Sequence, residues 1–403
     1  MNYKSTSTKF LIFSACCLLI LSFGYRSGFG LFMEPISDAK GWGRDTISFA
    51  LALQNLIWGV VAVFAGGLAD RYGNAKVIIA GAILYGGGMM LITVSDSPLL
   101  LNATMGLLIG SGIAGTAFGI VLPAMARAVG EERRQWALGV GTAAGSMGQF
   151  LVVPIAQQLL GSLGWEMAML VLGASALSMA IFAMPLAPYS GANATSSNNG
   201  PSQGVFEALW EALNNRSFLL LTAGFYVCGF QLAFVTVHMP AYLRDLGFDP
   251  WLGAWSIAVI GLCNVIGSYV AGIVSGKYSK SLVLGIIYFV RALSIVVFML
   301  LPTSTFSVLG FSVLLGLFWL ATVPPTSGLI AVLFGTRYMA LLYGVVFLSH
   351  QIGSFCGVLL GGVLYEMNGS YDVVWWLSVV LALIASILHW PIKEQPVQRL
   401  ATA

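Results

Sequence analysis

Charge is what this chain has least of. Of its 403 residues only 8% are Asp, Glu, Lys or Arg, against 58% hydrophobic, where an ordinary soluble domain is about one-quarter charged. That shortage excludes a water-soluble fold, which needs far more polar side chains to cover its surface. Acidic residues are missing where they would matter most, since no Asp or Glu falls in the middle of any long apolar run. The five cysteines (Cys16, Cys17, Cys228, Cys263, Cys356) all lie inside such runs, which excludes a disulfide framework and suits small packing residues. No stretch has the form of an ATP-binding loop, a zinc-ligand cluster or a nucleophile with its base, so neither catalysis nor a cofactor nor a metal is expected. The glycine-rich "GSGIAGTAFG" at 110–119 follows no strand and reads as close helix packing. A net charge of +3 is too small and too scattered to imply a nucleic-acid partner.

What is present is a series of long, unbroken apolar runs. A bilayer crossing takes roughly 20 apolar residues, and only helices or closed barrels satisfy every backbone group in lipid. These runs do not alternate, so the expected fold is an all-α membrane protein with twelve transmembrane helices, at about 10–33, 45–68, 77–95, 98–121, 136–159, 165–187, 218–241, 251–275, 281–301, 304–328, 340–364 and 371–391. With the N-terminus inside, the inner loops and tails hold thirteen Lys and Arg residues and the outer loops three, Lys40, Arg44 and Arg244. The positive-inside rule then places both termini in the cytoplasm.

Between the sixth and seventh spans, "APYSGANATSSNNGPSQG" has almost no apolar content and reads as a flexible linker. The following "VFEALWEALNNRSF" sets Val205, Phe206, Leu209, Trp210 and Leu213 on one face, as an interfacial helix would. Expected domains are therefore 1–187, the linker 188–217, and 218–403. The two halves superpose in sequence at an offset of 205–206 residues: Gly41-Trp42 on Gly247-Phe248, Gly110 on Gly316, Thr116 on Thr322, Gly148-Gln149-Phe150 on Gly353-Ser354-Phe355. Such a parallel repeat implies two six-helix bundles.

The loop after the second span, "GGLADRYGNAK" (66–76), resembles the G-x-L-A-D-R-x-G-R-K signature of the major facilitator superfamily, with Asn74 in place of the usual basic residue and lysine arriving at Lys76. The resemblance extends over essentially the whole chain and implies the major facilitator fold. It also implies that Asp70 and Arg71 act as conformational switch residues. The counterpart "AGIVSGKYSK" has Gly276 where the aspartate would be. "GLFMEPISDAKGWGRDTISFALAL" and "FLSHQIGSFCGVLLGG" resemble the monocarboxylate-porter and oxalate/formate-antiporter-like branch. Those carriers place an arginine in the eighth span and often a lysine in the eleventh, where this chain has Asn264 and His350.

A charge near the bilayer centre costs ~2.5–3.5 kcal/mol on insertion scales and marks a functional site or a buried partner. Arg26 and Arg291 are the two such charges. In the superfamily, spans 1, 4, 7 and 10 line the central cavity, so Arg26 is expected to meet an anion, with Tyr25 and Phe29 as walls. Gln231, His350 and Gln351 are further binding candidates. Arg291 lies on a peripheral span and is expected to brace Asn264 or Gln351. Glu34, His238 and Tyr242 are gating or coupling candidates toward the outer mouth, and Pro324 and Pro325 in "ATVPPTSG" are expected to bend the tenth span.

The expected function is secondary active transport of a small organic anion, a monocarboxylate, across a bacterial inner membrane by alternating access. Proton symport or exchange for a counter-anion would supply the coupling, in a monomer. Export of amphipathic or drug-like compounds is the alternative of the same class. A solute sensor that transports nothing is the alternative of another.

Overall fold

A computed structural model describes residues 3–129, 133–189, 204–335 and 338–397. Most of the linker, 190–203, lies outside the described residues. The first half comprises α1 (Tyr3–Lys40), α2 (Arg44–Tyr72) and α3 (Asn74–Ile92). Next come α4 (Pro98–Leu101), a π-helical stretch Asn102–Leu108, α5 (Ile109–Thr116) and α6 (Phe118–Val129), which together form one crossing. It ends with α7 (Arg134–Ala176) and α8 (Met179–Ala183). A short amphipathic α9 (Val205–Leu213) precedes α10 (Arg216–Asp245), α11 (Pro250–Lys277), α12 (Lys280–Leu300), α13 (Thr305–Leu317), α14 (Val323–Phe334), α15 (Met339–Asn368) and α16 (Asp372–His389). On α9, Phe206 and Trp210 are exposed while Ala208 and Ala212 are buried, an apolar face turned outward as a membrane interface requires.

Among the described residues, ten stretches are long and apolar enough to cross a bilayer. One of them, Trp136–Tyr189, is 54 residues long, about 80 Å if straight, and it turns back at Gly164, where φ is 77°. It therefore supplies two crossings. The tenth span is made of α13 and α14, each too short alone, which brings the count to twelve. Here the sequence expectation is corrected. This span runs to Phe334, and Pro324 and Pro325 do not bend a helix but stand in the first turn of α14, where a missing N–H costs nothing. The break lies before them, at 318–322. Asn264 mends part of it, its Oδ1 accepting from the Leu320 N–H at 2.8 Å.

The repeat is visible in backbone detail. Gly41 and Gly247 both have positive φ, as do Gly164 and Gly369. The Trp42 N–H donates to the Ser37 carbonyl at 3.2 Å, and the Phe248 N–H to the Leu243 carbonyl at 3.1 Å, the same turn 206 residues on. The helices before the linker pack chiefly on one another, as do those after it. The two groups meet along α2 with α15, α7 with α11 and α1 with α10.

Glu394, beyond the last span, ties the tail to the start of α12. Its carboxylate accepts from the Ser279 hydroxyl, the Ser281 N–H and the Ser281 hydroxyl at 2.6, 2.8 and 3.0 Å. Partial burial raises its pKa, but these donors and Lys280 outweigh burial and hold it below the ordinary carboxylate value. A depressed folded-state pKa means that the stabilisation is present above the unfolded value, ~4.3 for Glu, and lost as pH falls through the folded one. Glu394→Gln is expected to lower the thermal midpoint at neutral pH and to match the parent chain in strong acid, checked by melting curves across pH.

Candidate functional site

Arg26 stands midway along α1 and remains partly accessible. Its Nη2 donates to Asn55 Oδ1 at 3.2 Å, and its guanidinium lies 4.9 Å from the centre of the Trp58 ring, a cation–π distance. Among the described residues no carboxylate comes within ion-pair distance of it. Asn55 is held in place because its Nδ2 donates to the Leu51 carbonyl at 2.9 Å. Phe29, Gln54, Asn55, Thr236 and Arg26 line a small recess between the halves. About 10 Å³ of it is open to water centres, close to the ~10–15 Å³ that one water needs.

From this recess a polar chain crosses into the second half. Gln351 Nε2 donates to the Asn55 carbonyl at 3.1 Å, and its Oε1 lies 3.0 Å from His350 Nδ1. Phe29, Gln351 and His350 are thus brought together with Arg26. Tyr25 and Gln231 are not. Tyr25 is buried inside the first half, its hydroxyl 2.8 Å from Ser175 Oγ and its ring edge-on to Tyr85. Gln231 donates to the Ser378 carbonyl of α16 at 2.9 Å, away from the recess.

The end of the molecule farthest from the chain termini is closed by charge. Arg44 clasps Asp245 with two hydrogen bonds, 2.6 and 2.7 Å, and donates to the Tyr371 hydroxyl at 3.1 Å. Its backbone N–H donates to Glu366 at 2.7 Å, and its guanidinium lies over Tyr365. Glu34 sits between Arg44 and Arg244, at 3.5 and 3.2 Å. Glu34 of α1 and Arg44 of α2 are thereby tied to α10, to α15 and to Tyr371 just ahead of α16. His238 is sealed just beneath, its Nε2 2.9 Å from the Val358 carbonyl, and Tyr242 packs edge-on against Tyr371 and Trp375.

Toward the opposite end, the Trp58 and Phe347 rings meet edge-on at 5.3 Å. Farther on, Arg71 is exposed, with its guanidinium over the ring of its neighbour Tyr72. The Asp70 side chain lies outside the described residues. Arg291 is fully buried and, against the expectation, makes no hydrogen bond to Asn264 or Gln351 among the described residues. Its Nη1 instead reaches Cys228 Sγ of α10 at 3.5 Å, and α16 packs on both α10 and α12.

The clasp residues Arg44, Asp245, Glu366 and Tyr371 were not among the sequence candidates. Their one signal was Arg44 in the "GWGR" turn. The acids stand near helix ends, where solvated carboxylates are ordinary.

A family model described as the Major Facilitator Superfamily matches residues 15–355 and 254–402. The chain belongs to that superfamily. It is therefore a transporter and not an enzyme. Among curated superfamily relatives, the chain is 25% identical to an uncharacterized MFS-type transporter, YcxA, of Bacillus subtilis, over 91% of this chain and 90% of that one. It is 26% identical to monocarboxylate transporter 13 of Rattus norvegicus, over 93% and 86%, and 22% identical to a probable sulfoacetate transporter, SauU, of Cupriavidus necator, over 94% and 93%. The fold is also that of a bacterial homolog of the human lysosomal transporter Spinster, solved in an inward-facing, unoccupied conformation. That match has a TM-score of 0.76 over 95% of this chain and 96% of that one at 14% identity.

Arg44→Ala removes the side-chain bonds to Asp245 and Tyr371 and leaves the backbone N–H on Glu366, so it is expected to widen the spacing between the distal ends of α2 and α10, measured between spin labels placed there.

Proposed function

We propose that the chain carries a small organic anion, a monocarboxylate or a similarly compact acid, across a bacterial inner membrane by alternating access between residues 1–187 and 218–403, joined by the linker 188–217. The observation that carries this reading is Arg26: a guanidinium in the middle of a crossing, partly accessible, held by one amide oxygen and an aromatic face, with no carboxylate partner among the described residues. A cation at that depth calls for a counter-charge. An arriving carboxylate supplies it in the two-pronged geometry that guanidinium prefers. The relatives named for monocarboxylates and sulfoacetate support the same solute class.

Both termini are read as cytoplasmic, so the Arg44 clasp closes the outer mouth and the anion reaches Arg26 from inside. Opening outward requires the clasp to part and the inner ends, with Asp70 and Arg71, to approach. The protein works as a monomer, with proton symport or anion exchange as its coupling. Uptake of labelled lactate, pyruvate and sulfoacetate into proteoliposomes, with and without a pH gradient, is the test. Saturable uptake of at least one acid is expected. No uptake or counterflow of any acid, alongside drug resistance in expressing cells, would overturn the reading.

A further inference from the structure

The two halves build the same three-residue contact from different chemistry. In the first half Ser22, Tyr85 and Thr116 meet at the centre of the bundle: Ser22 Oγ lies 2.9 Å from Thr116 Oγ1, and the Tyr85 hydroxyl donates to the Ser22 carbonyl at 3.0 Å. All three groups are neutral. An offset of 206 residues carries these positions to Cys228, Arg291 and Thr322, and the contacts recur. Cys228 Sγ lies 3.4 Å from Thr322 Oγ1 and 3.5 Å from Arg291 Nη1. The fold thus accommodates an uncharged trio at this place, and the second half has put a cation there and a thiol beside it.

Arg291 is 0% exposed and lies over the Tyr288 ring, and among the described residues its Nε and Nη2 have no hydrogen-bond partner. A guanidinium does not shed its proton, and a buried charge without a counter-charge is strongly disfavoured. The titratable groups facing the thiol are Arg291 and Tyr288 from α12 and His350 and Tyr343 from α15. His389 of α16 stacks on Tyr288. Among the described residues no carboxylate ion-pairs with Arg291. Of the acids in reach, a thiol ionises more readily than a phenol, and Arg291 Nη1 stands directly against the sulfur.

We propose that Cys228 is a proton-binding site: a thiolate paired with Arg291 that takes up one proton and releases it during transport. Uptake forms the S–H bond with a proton taken from water, and leaves the cluster carrying the single charge of Arg291. Release reverses the step and restores a neutral pair. His350 also ends the polar chain through Gln351 and Asn55 to Arg26, so the charge on the pair is felt where the anion binds. The coupling role rests on the transport reading above, whereas the ionisation does not.

The test uses the purified full chain and the ultraviolet absorbance of thiolate, which needs no reagent to enter the bundle. Serine is the residue that the first half places in this contact, so Cys228→Ser is expected to fold. At neutral pH the parent chain should show one thiolate more than Cys228→Ser, lost on acidification and lost in Arg291→Gln but retained in Arg291→Lys. Identical spectra for the parent chain and Cys228→Ser would overturn the site. In proteoliposomes, Cys228→Ser should keep anion counterflow and lose accumulation driven by a pH gradient. Unchanged gradient-driven accumulation would overturn the coupling role. Absence of any anion flux in the parent chain would count against the transport reading alone, with the thiolate difference still standing.

Discussion

Arg26→Gln is expected to lower the affinity for anion uptake by roughly 30-fold or more while the protein still assembles. Removing one partner of a desolvated charge pair costs about 2–5 kcal/mol, which at ~1.4 kcal/mol per decade is roughly 30- to several-thousand-fold in affinity. Assembly should survive because Arg26 makes one side-chain hydrogen bond, to Asn55, and glutamine can donate in its place. Arg26→Lys retains the charge but not the planar fork, so a graded loss of roughly tenfold is expected. Initial uptake rates against solute concentration, on protein of verified monodispersity, check both. Full affinity in both variants would remove Arg26 from the binding site.

The second large effect concerns folding. Gly148 of α7 sits against the Ile20 carbonyl of α1, and Gly353 of α15 sits against the Tyr226 carbonyl of α10. These are the same contact, since each glycine and each carbonyl lies 205–206 residues from its counterpart. A side chain at either place meets backbone, which cannot turn aside as a flexible side chain would. Gly148→Val and Gly353→Val are each expected to destabilise their half by about 3 kcal/mol or more, beyond the usual overpacking range of ~1–3, and to appear as loss of the monodisperse peak and a collapsed thermal midpoint. Gly67→Ala is the control. Nothing lies within 4 Å of a Cβ added there, so a neutral or slightly stabilising change is expected.

Much of the architecture was legible in the sequence because the signals for it are local. A run of twenty apolar residues demands a crossing wherever it ends up in the bundle. Gly41 and Gly247 mark the same turn because each turn needs its own positive φ. The tenth span is less legible. "VPPTS" looks like a mid-helix bend, and only Asn264 accepting from Leu320, fifty-six residues away, discloses that the helix has already stopped before the prolines.

The site divides along the same line. Sequence alone determined that the protein is a membrane-spanning bundle with an internal repeat, and that Arg26 and Arg291 are charges without acids at their depth. Composition, hydropathy and spacing suffice for that, because they fix what the bilayer demands of each segment. Tertiary structure decided which neighbours those charges meet. It turned Tyr25 and Gln231 into their own bundles, joined Arg26 to His350 through Asn55 and Gln351, and set Arg291 against Cys228. It also assembled the clasp at Arg44 from acids 201 and 322 residues away. The rotation of a helix about its axis and the partner across an interface depend on packing of segments far apart in the chain, and no local pattern in an apolar helix records them.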